Sequence, residues 1–148
     1  MEGYFEQYEM VKSIRTLKYE LWDESGYRIV PNVAFKLLRY FSKFDFLFNP
    51  EKVDYSSLDI FTNNGIYVES IVSYIFEELF KNINSDSVLP IDILEKYSKF
   101  YYWRARVRLI RYYNLPVSIL EELTQDCDSE VKAYAELKLE EQKQLATV

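Results

Sequence analysis

At 148 residues the chain has the length of one ordinary domain, enough to bury a continuous core. Hydrophobic residues make up 49% of it and only three Gly and four Pro interrupt them, which excludes a disordered or linker-like chain. The formal charge of -6 repels phosphate backbones, sets nucleic acid low among expected partners and favours basic ones.

In chain order, Tyr4, Tyr8, Val11, Ile14, Leu17 and Leu21 recur every three or four positions with Glu6, Lys12, Arg15 and Glu20 between them. That spacing predicts an amphipathic helix over residues 4–22, ended near Ser25-Gly26 by the left-handed conformation that Gly allows. A short linker, extended or not, follows over 27–31, and Asn32 is placed to cap a helix running through Val33, Leu37, Leu38 and Phe41. The apolar run Phe44, Phe46, Leu47, Phe48 ends at the breaker Asn49-Pro50. Its alternation admits a short strand, but a helix end turning into a buried loop is preferred. A short helix is expected over 57–61 and a turn at Asn63-Asn64-Gly65. Residues 67–82 give the clearest helix, with Val68, Ile71, Val72, Ile75, Phe76, Leu79 and Phe80 as its apolar stripe. Glu69, Ser73, Glu77 and Lys81 are expected on its other face, and 82–87 reads as a polar loop.

From Leu89 the chain repeats itself. Leu89-Pro90-Ile91-Asp92-Ile93-Leu94-Glu95 recurs 26 positions later as Leu115-Pro116-Val117-Ser118-Ile119-Leu120-Glu121. Each Pro suits a first helical position, whose N–H has no helical partner. A break and a second helix follow in each copy, aligning Ala105-Arg106-Val107-Arg108-Leu109 with Val131-Lys132-Ala133-Tyr134-Ala135. Asp126-Cys127-Asp128 makes the break in the second copy, with Asp128 placed to cap a helix beginning at Ser129. Phe100-Tyr101-Tyr102 stands at the same place in the first.

The pattern Leu-Pro-x-x-Ile-Leu-x-x-Leu, then Asp-x-Asp-x-x-Val-Lys, resembles the HEAT-like helical repeats of the leucine-rich-repeat-variant type. The match is good from Leu115 to Glu141, and from Leu89 to Asn114 it holds at the start of the copy. The resemblance implies an all-α fold: a right-handed stack of helical hairpins, as a short α-solenoid or irregular bundle, with a concave face used for binding. The expected organisation is one domain over 1–148, with N-terminal helices at 1–87, two repeats at 88–141 and a tail at 142–148. Some members of that family hold a cysteine-ligated cluster, which this chain lacks the thiolates to bind.

Little in the sequence offers chemistry. With no His there is no Ser-His-Asp triad, Cys-His pair or His-based metal site. Gly3, Gly26 and Gly65 are isolated and form no phosphate-cradling loop. Cys127 is flanked by acids rather than by the cations a reactive thiolate needs, and as the sole cysteine it fits a reducing compartment. Asp126 and Asp128 lack the twelve-residue calcium-loop pattern and are read as capping residues. Glu77 and Glu78 are adjacent on a helix and point about 100° apart, unsuited to a catalytic pair. No cofactor, metal or catalytic group is expected. The opening MEGYFEQYEM carries acid where a signal peptide needs a basic start, and no apolar run approaches the ~18 residues of a membrane span. A cytoplasmic protein without membrane attachment is the expectation.

One local anomaly remains. Trp103, Arg104, Arg106, Arg108, Arg111, Tyr112 and Tyr113 put four Arg among aromatics, and Arg104, Arg108 and Arg111 share a helix face from which Arg106 stands apart. The plainest expectation is pairing with acids on neighbouring helices. A protein interface ranks next and nucleic acid last, with Tyr112 and Tyr113 assigned to the core.

A small, acidic, motif-free helical chain resembles the immunity proteins that neutralise bacterial toxins, and also phage-encoded inhibitors of host defences. That likeness implies steric and electrostatic blocking of a basic protein such as a toxin or nuclease-like effector. Its expected contacts are Glu69, Glu77 and Asp86, or Asp126 and Asp128. The alternatives are a nucleic-acid-binding HEAT-like protein using Trp103, Arg104, Arg108 and Arg111, and an adaptor that forms a homodimer through exposed aromatics. An enzyme ranks below all three.

Overall fold

Proline positions and apolar spacing set where the helices begin and which side of each is buried. The computed structural model describes residues 16, 20–22, 29–58, 68–82 and 89–146. Apart from one antiparallel bridge between Trp22 and Ile29, every regular element among them is helical. They are α1 (Pro31–Phe41), a 3-10 turn (Asp45–Leu47), α2 (Val68–Asn82), α3 (Ile91–Tyr97), α4 (Trp103–Tyr112), α5 (Val117–Leu123) and α6 (Ser129–Ala146). Residues 55–58 add a further helical turn, begun by Asp54, whose carboxylate accepts from the Ser57 backbone N–H and hydroxyl.

Several boundaries differ from expectation for local reasons. Asn32 does not cap α1, because Pro31 takes the first helical turn and Val30 becomes the cap residue. The Phe44–Phe48 stretch is neither strand nor loop. It tightens into the 3-10 turn, which buries Leu47 and offers the Leu47 carbonyl to the Tyr101 N–H at 2.8 Å. Thr16 and Glu20 are helical, but Leu21 and Trp22 already lie beyond the helix end, since Trp22 bridges back to Ile29. The rest of the 4–22 helix, the Ser25-Gly26 stop, the Asn63-Asn64-Gly65 turn and the 83–87 loop lie outside the described residues. At the other end, residues expected to form a tail from 142 are helical to Ala146, and the Gln142 amide reaches the Leu115 carbonyl.

The helices associate in pairs: α1 with α2, α3 with α4, α5 with α6. The second helices α2, α4 and α6 also pack on one another in turn, so they form a continuous row. Between the pairs lies one apolar core of Leu37, Leu38, Phe41, Phe76, Tyr97, Phe100, Leu109 and Leu120 with their neighbours. Two core tyrosines are pinned at the hydroxyl. Tyr97 donates to the Leu38 carbonyl of α1 at 2.6 Å, and Tyr113 donates to the Phe76 carbonyl of α2 at 2.9 Å. Each ring fills the core while its polar end satisfies a helix carbonyl, which is how Tyr becomes compatible with burial.

The 26-residue recurrence is geometric as well as sequential. Pro90 and Pro116 share the same extended backbone (φ -54, ψ 145 and φ -56, ψ 148), and each offers its carbonyl to the first helical N–H groups. Both therefore sit one position earlier than expected, as cap residues. Ser98 and Thr124 close α3 and α5 identically, each hydroxyl donating to the carbonyl three residues before. Ile93, Leu94, Ala105 and Leu109 are buried, and so are their counterparts Ile119, Leu120, Val131 and Ala135.

Arg106 joins the two copies. Its side chain is buried at 1% exposure, with Nε and Nη2 donating to the two Asp126 carboxylate oxygens at 3.0 and 2.8 Å. Nη1 donates to the Phe100 carbonyl at 2.6 Å. Phe100 and Asp126 are the same turn position of successive copies, so one guanidinium grips both turns, through the backbone of one and the side chain of the other. The counterpart of Arg106 in the second copy, Lys132, is exposed.

Removing one partner strands a buried charge. Asp126→Ala is expected to destabilise the fold by about 3–5 kcal/mol, whereas the double change Arg106→Met with Asp126→Leu should cost much less or nothing. Urea denaturation followed by circular dichroism checks this. Equal losses for the single and double variants would count against the clamp.

Candidate functional site

The α4 sequence Trp103–Tyr112 places its four arginines on two sides of one cylinder. Arg104, Arg108 and Arg111 fall together because three or four residues complete a turn, and Arg106 falls roughly 200° from Arg104, toward the core. With α4 seated between α2 and α6, the first three line the exposed side of the row. The neighbours there are aromatic. Phe80 of α2 stacks on Tyr112, with centroids 4.8 Å apart and an interplanar angle of 22°, and remains 51% exposed. The Arg111 guanidinium lies over Tyr112 at 5.8 Å and over Tyr134 of α6 at 5.7 Å. Arg104 lies over the half-buried Trp103 ring at 5.3 Å.

The charges on this face are unevenly matched. Glu77 bonds Lys81 at 2.9 Å and stands 4.0 Å from Arg108. Lys81, hydrogen-bonded to it, holds the Glu77 carboxyl below the usual carboxylate range despite some desolvation, and Arg108 adds to this. Glu77 raises the Lys81 ammonium in turn, so both stay ionised near neutrality. Among the described residues no carboxylate forms an ion pair with Arg104 or Arg111. Among the described residues their guanidiniums lie over ring faces.

Other expected contact residues are committed to the fold. Asp126 has a side-chain exposure of 5%, with both oxygens on Arg106 and one also accepting from the Asp128 N–H at 2.9 Å. It is therefore no surface contact: a bidentate guanidinium occupies it. Asp128 caps α6, accepting from the Glu130 and Val131 N–H groups at 3.0 Å each. Glu69 is half-buried and accepts a short hydrogen bond from the Tyr101 hydroxyl. The α2 face expected in solvent is thus largely covered, Ser73 included at 3% exposure. Tyr101 bonds Glu69 and Arg108 approaches Glu77 on that face, supplying partners for its acids. Asp86 lies outside the described residues.

The structure also adds residues that periodicity assigned elsewhere. Phe80 and Tyr112 belong by spacing to apolar stripes, yet they meet at the rim where α2 and α4 run out of cover. Tyr134 enters only because α6 packs on α4. The signal available for Arg106 was its 200° phase from Arg104, which pointed to the core and hence to a buried acid. Cys127 is exposed and unpaired, its thiol 3.6 Å from the Pro50 carbonyl. Among the described residues no group of three His, Cys, Asp or Glu side chains gathers to hold a metal ion. Nor is any described helix long and apolar enough to cross a membrane.

The groups gathered on this face are aromatic rings and arginines rather than acids, bases or nucleophiles set against one another. Flat rings and ring-held guanidiniums combine apolar area with hydrogen-bond donors. The buried phenols of the fold have a measurable consequence. Burial raises the Tyr101 phenol above its ordinary range, with the Glu69 carboxylate adding to the effect, and burial alone raises Tyr97 and Tyr113. These phenols stay protonated in the folded chain while unfolded tyrosines ionise near pH 10. The stability they contribute is whole below about pH 10 and is lost as the pH rises above it, because the unfolded state then binds fewer protons. Phenolate absorbance should show at least three tyrosines ionising only together with loss of helical signal. Their ionisation near pH 10 with helicity intact would contradict the burial. No family model matches the chain, and no curated protein and no solved structure matches it.

Proposed function

We propose that this chain is a non-enzymatic binding protein built on HEAT-like hairpins, and that it engages a protein partner through the exposed face of α2, α4 and α6. The observation that carries this reading is the row Phe80, Tyr112, Arg111 and Tyr134, contributed by three different helices and still open to solvent on one side. Exposed Arg and aromatic side chains held by their neighbours are the composition of interface hot spots. The matching backbone geometry of the two 26-residue copies supports the repeat assignment.

An inhibitor of a toxin or nuclease-like effector, whether a bacterial immunity protein or a phage-encoded blocker of host defence, is the form of this reading that best suits the composition. The charge of -6 draws in partners of overall positive charge, and exposed Glu95, Glu121, Glu136 and Glu140 contribute to that field. Steering brings the two together, and the α2–α4–α6 face then sets which surface is covered. The single exposed thiol Cys127 fits a cytoplasmic setting.

Tagged protein captured from the lysate of its own cells, with and without nuclease, should retain one stoichiometric protein partner that nuclease does not remove. Phe80→Asp combined with Arg111→Glu should abolish retention, while Cys127→Ser leaves it unchanged. Loss of every partner on nuclease treatment would transfer the face to nucleic acid. Recovery of only a second, differently tagged copy would make it a homodimer surface.

A further inference from the structure

Helix α6 has 18 residues where its counterpart α4 has 10. With the 26-residue offset, α4 corresponds to 129–138, and α6 runs on to Ala146, a further two turns or about 12 Å. One side of this extension rests on the fold, where Leu139 packs against the core and the Gln142 amide reaches the Leu115 carbonyl. The other side is open. Leu137 is 58% exposed and Leu145 77% exposed.

Four residues line up on that open side. At 100° per residue Tyr134, Lys138, Glu141 and Leu145 fall within about 60° of one another, and their spacing of four, three and four is that of a coiled-coil seam. Ala135, which is buried, points about 100° away from Tyr134, so the seam is not the side that α6 turns to its own core. Tyr134 and Lys138 are half-buried, Glu141 and Leu145 are exposed, and Leu137 borders the seam. Among the described residues neither Lys138 nor Glu141 forms an ion pair.

We infer that α6 pairs antiparallel with α6 of a second copy of this chain. The order apolar, basic, acidic, apolar is its own complement when reversed. In the antiparallel pair Tyr134 meets Leu145 of the second copy, Lys138 meets its Glu141, and the two-fold axis repeats both contacts. A parallel pair would set Lys138 against Lys138 and Glu141 against Glu141, so charge fixes the direction. A foreign helix of one sign would satisfy either Lys138 or Glu141 and oppose the other. Burial of the apolar end layers drives the association, and the central pairs, being near the surface, contribute orientation more than strength. Three turns of seam bury less than a standard interface, so the dimer is weak, with a Kd on the order of 10–100 µM. The seam uses none of Phe80, Arg104, Arg108 or Tyr112, so the pairing goes beyond the binding role proposed above and does not depend on it.

Sedimentation equilibrium of the full chain between about 5 and 500 µM should show monomer passing into dimer and no larger species. Lys138→Glu and Glu141→Lys each set like charges together at both central contacts. Each should weaken association at least about tenfold, with circular dichroism unchanged. An equimolar mixture of these two variants should associate again, and so should a chain carrying both changes, because opposite charges then face each other across the axis. Leu145→Glu should abolish association, and Phe80→Asp should leave it intact. A monomer throughout the range, association indifferent to Lys138→Glu, or a mixture no more associated than its components would overturn the inference. Those outcomes leave lysate capture through Phe80 and Arg111 untouched, and loss of capture leaves the dimer untouched.

Discussion

One buried guanidinium fixes the relation between the two hairpins. Arg106 reaches the Phe100 carbonyl in the turn of its own hairpin and the Asp126 carboxylate in the turn of the next, with almost no solvent at either. A buried charge left unpaired is strongly destabilising, so the hairpins cannot slide or rotate relative to each other without breaking this contact. Apolar packing between helices tolerates small shifts; a bidentate ion pair with a third hydrogen bond does not. The α4–α6 part of the row takes its registry from that point.

The same contact explains an irregularity in the repeat. The second copy has an acidic turn and the first has an aromatic one. Only the later turn must provide a carboxylate, because only it faces the arginine of the preceding hairpin with a side chain. In the earlier turn a backbone carbonyl serves, and this frees position 100 for a Phe that is fully buried against Phe48 and Tyr97. The difference between the copies is therefore a division of labour around one side chain.

Aromatic residues perform two tasks here. Tyr97, Tyr101 and Tyr113 tie helices together inside, each giving its hydroxyl to a carbonyl or carboxylate on another element. Phe80, Tyr112 and Tyr134 lie at the rim and hold one another and Arg111 in place while exposing ring area. The sequence draws no distinction between these groups. What separates them is whether another helix happens to cover the position.

Much of the helical architecture was legible in one dimension. The apolar period of residues 68–82, the Leu-Pro starts at 89 and 115, the Asp128 cap and the separation of Arg106 from the other three arginines all depend on spacing along the chain or on a residue's own backbone geometry. Such features are local, and local rules decide them. The fate of each polar group was not legible in this way. Asp126 and Glu69 read as surface acids and are engaged by Arg106 and Tyr101. Phe80 read as core and stands exposed on Tyr112. Each outcome depends on which distant element arrives alongside, through contacts separated by twenty or more residues. Only the tertiary packing of α4 between α2 and α6 determined which arginine was buried against Asp126 and which stayed on the exposed side of the row.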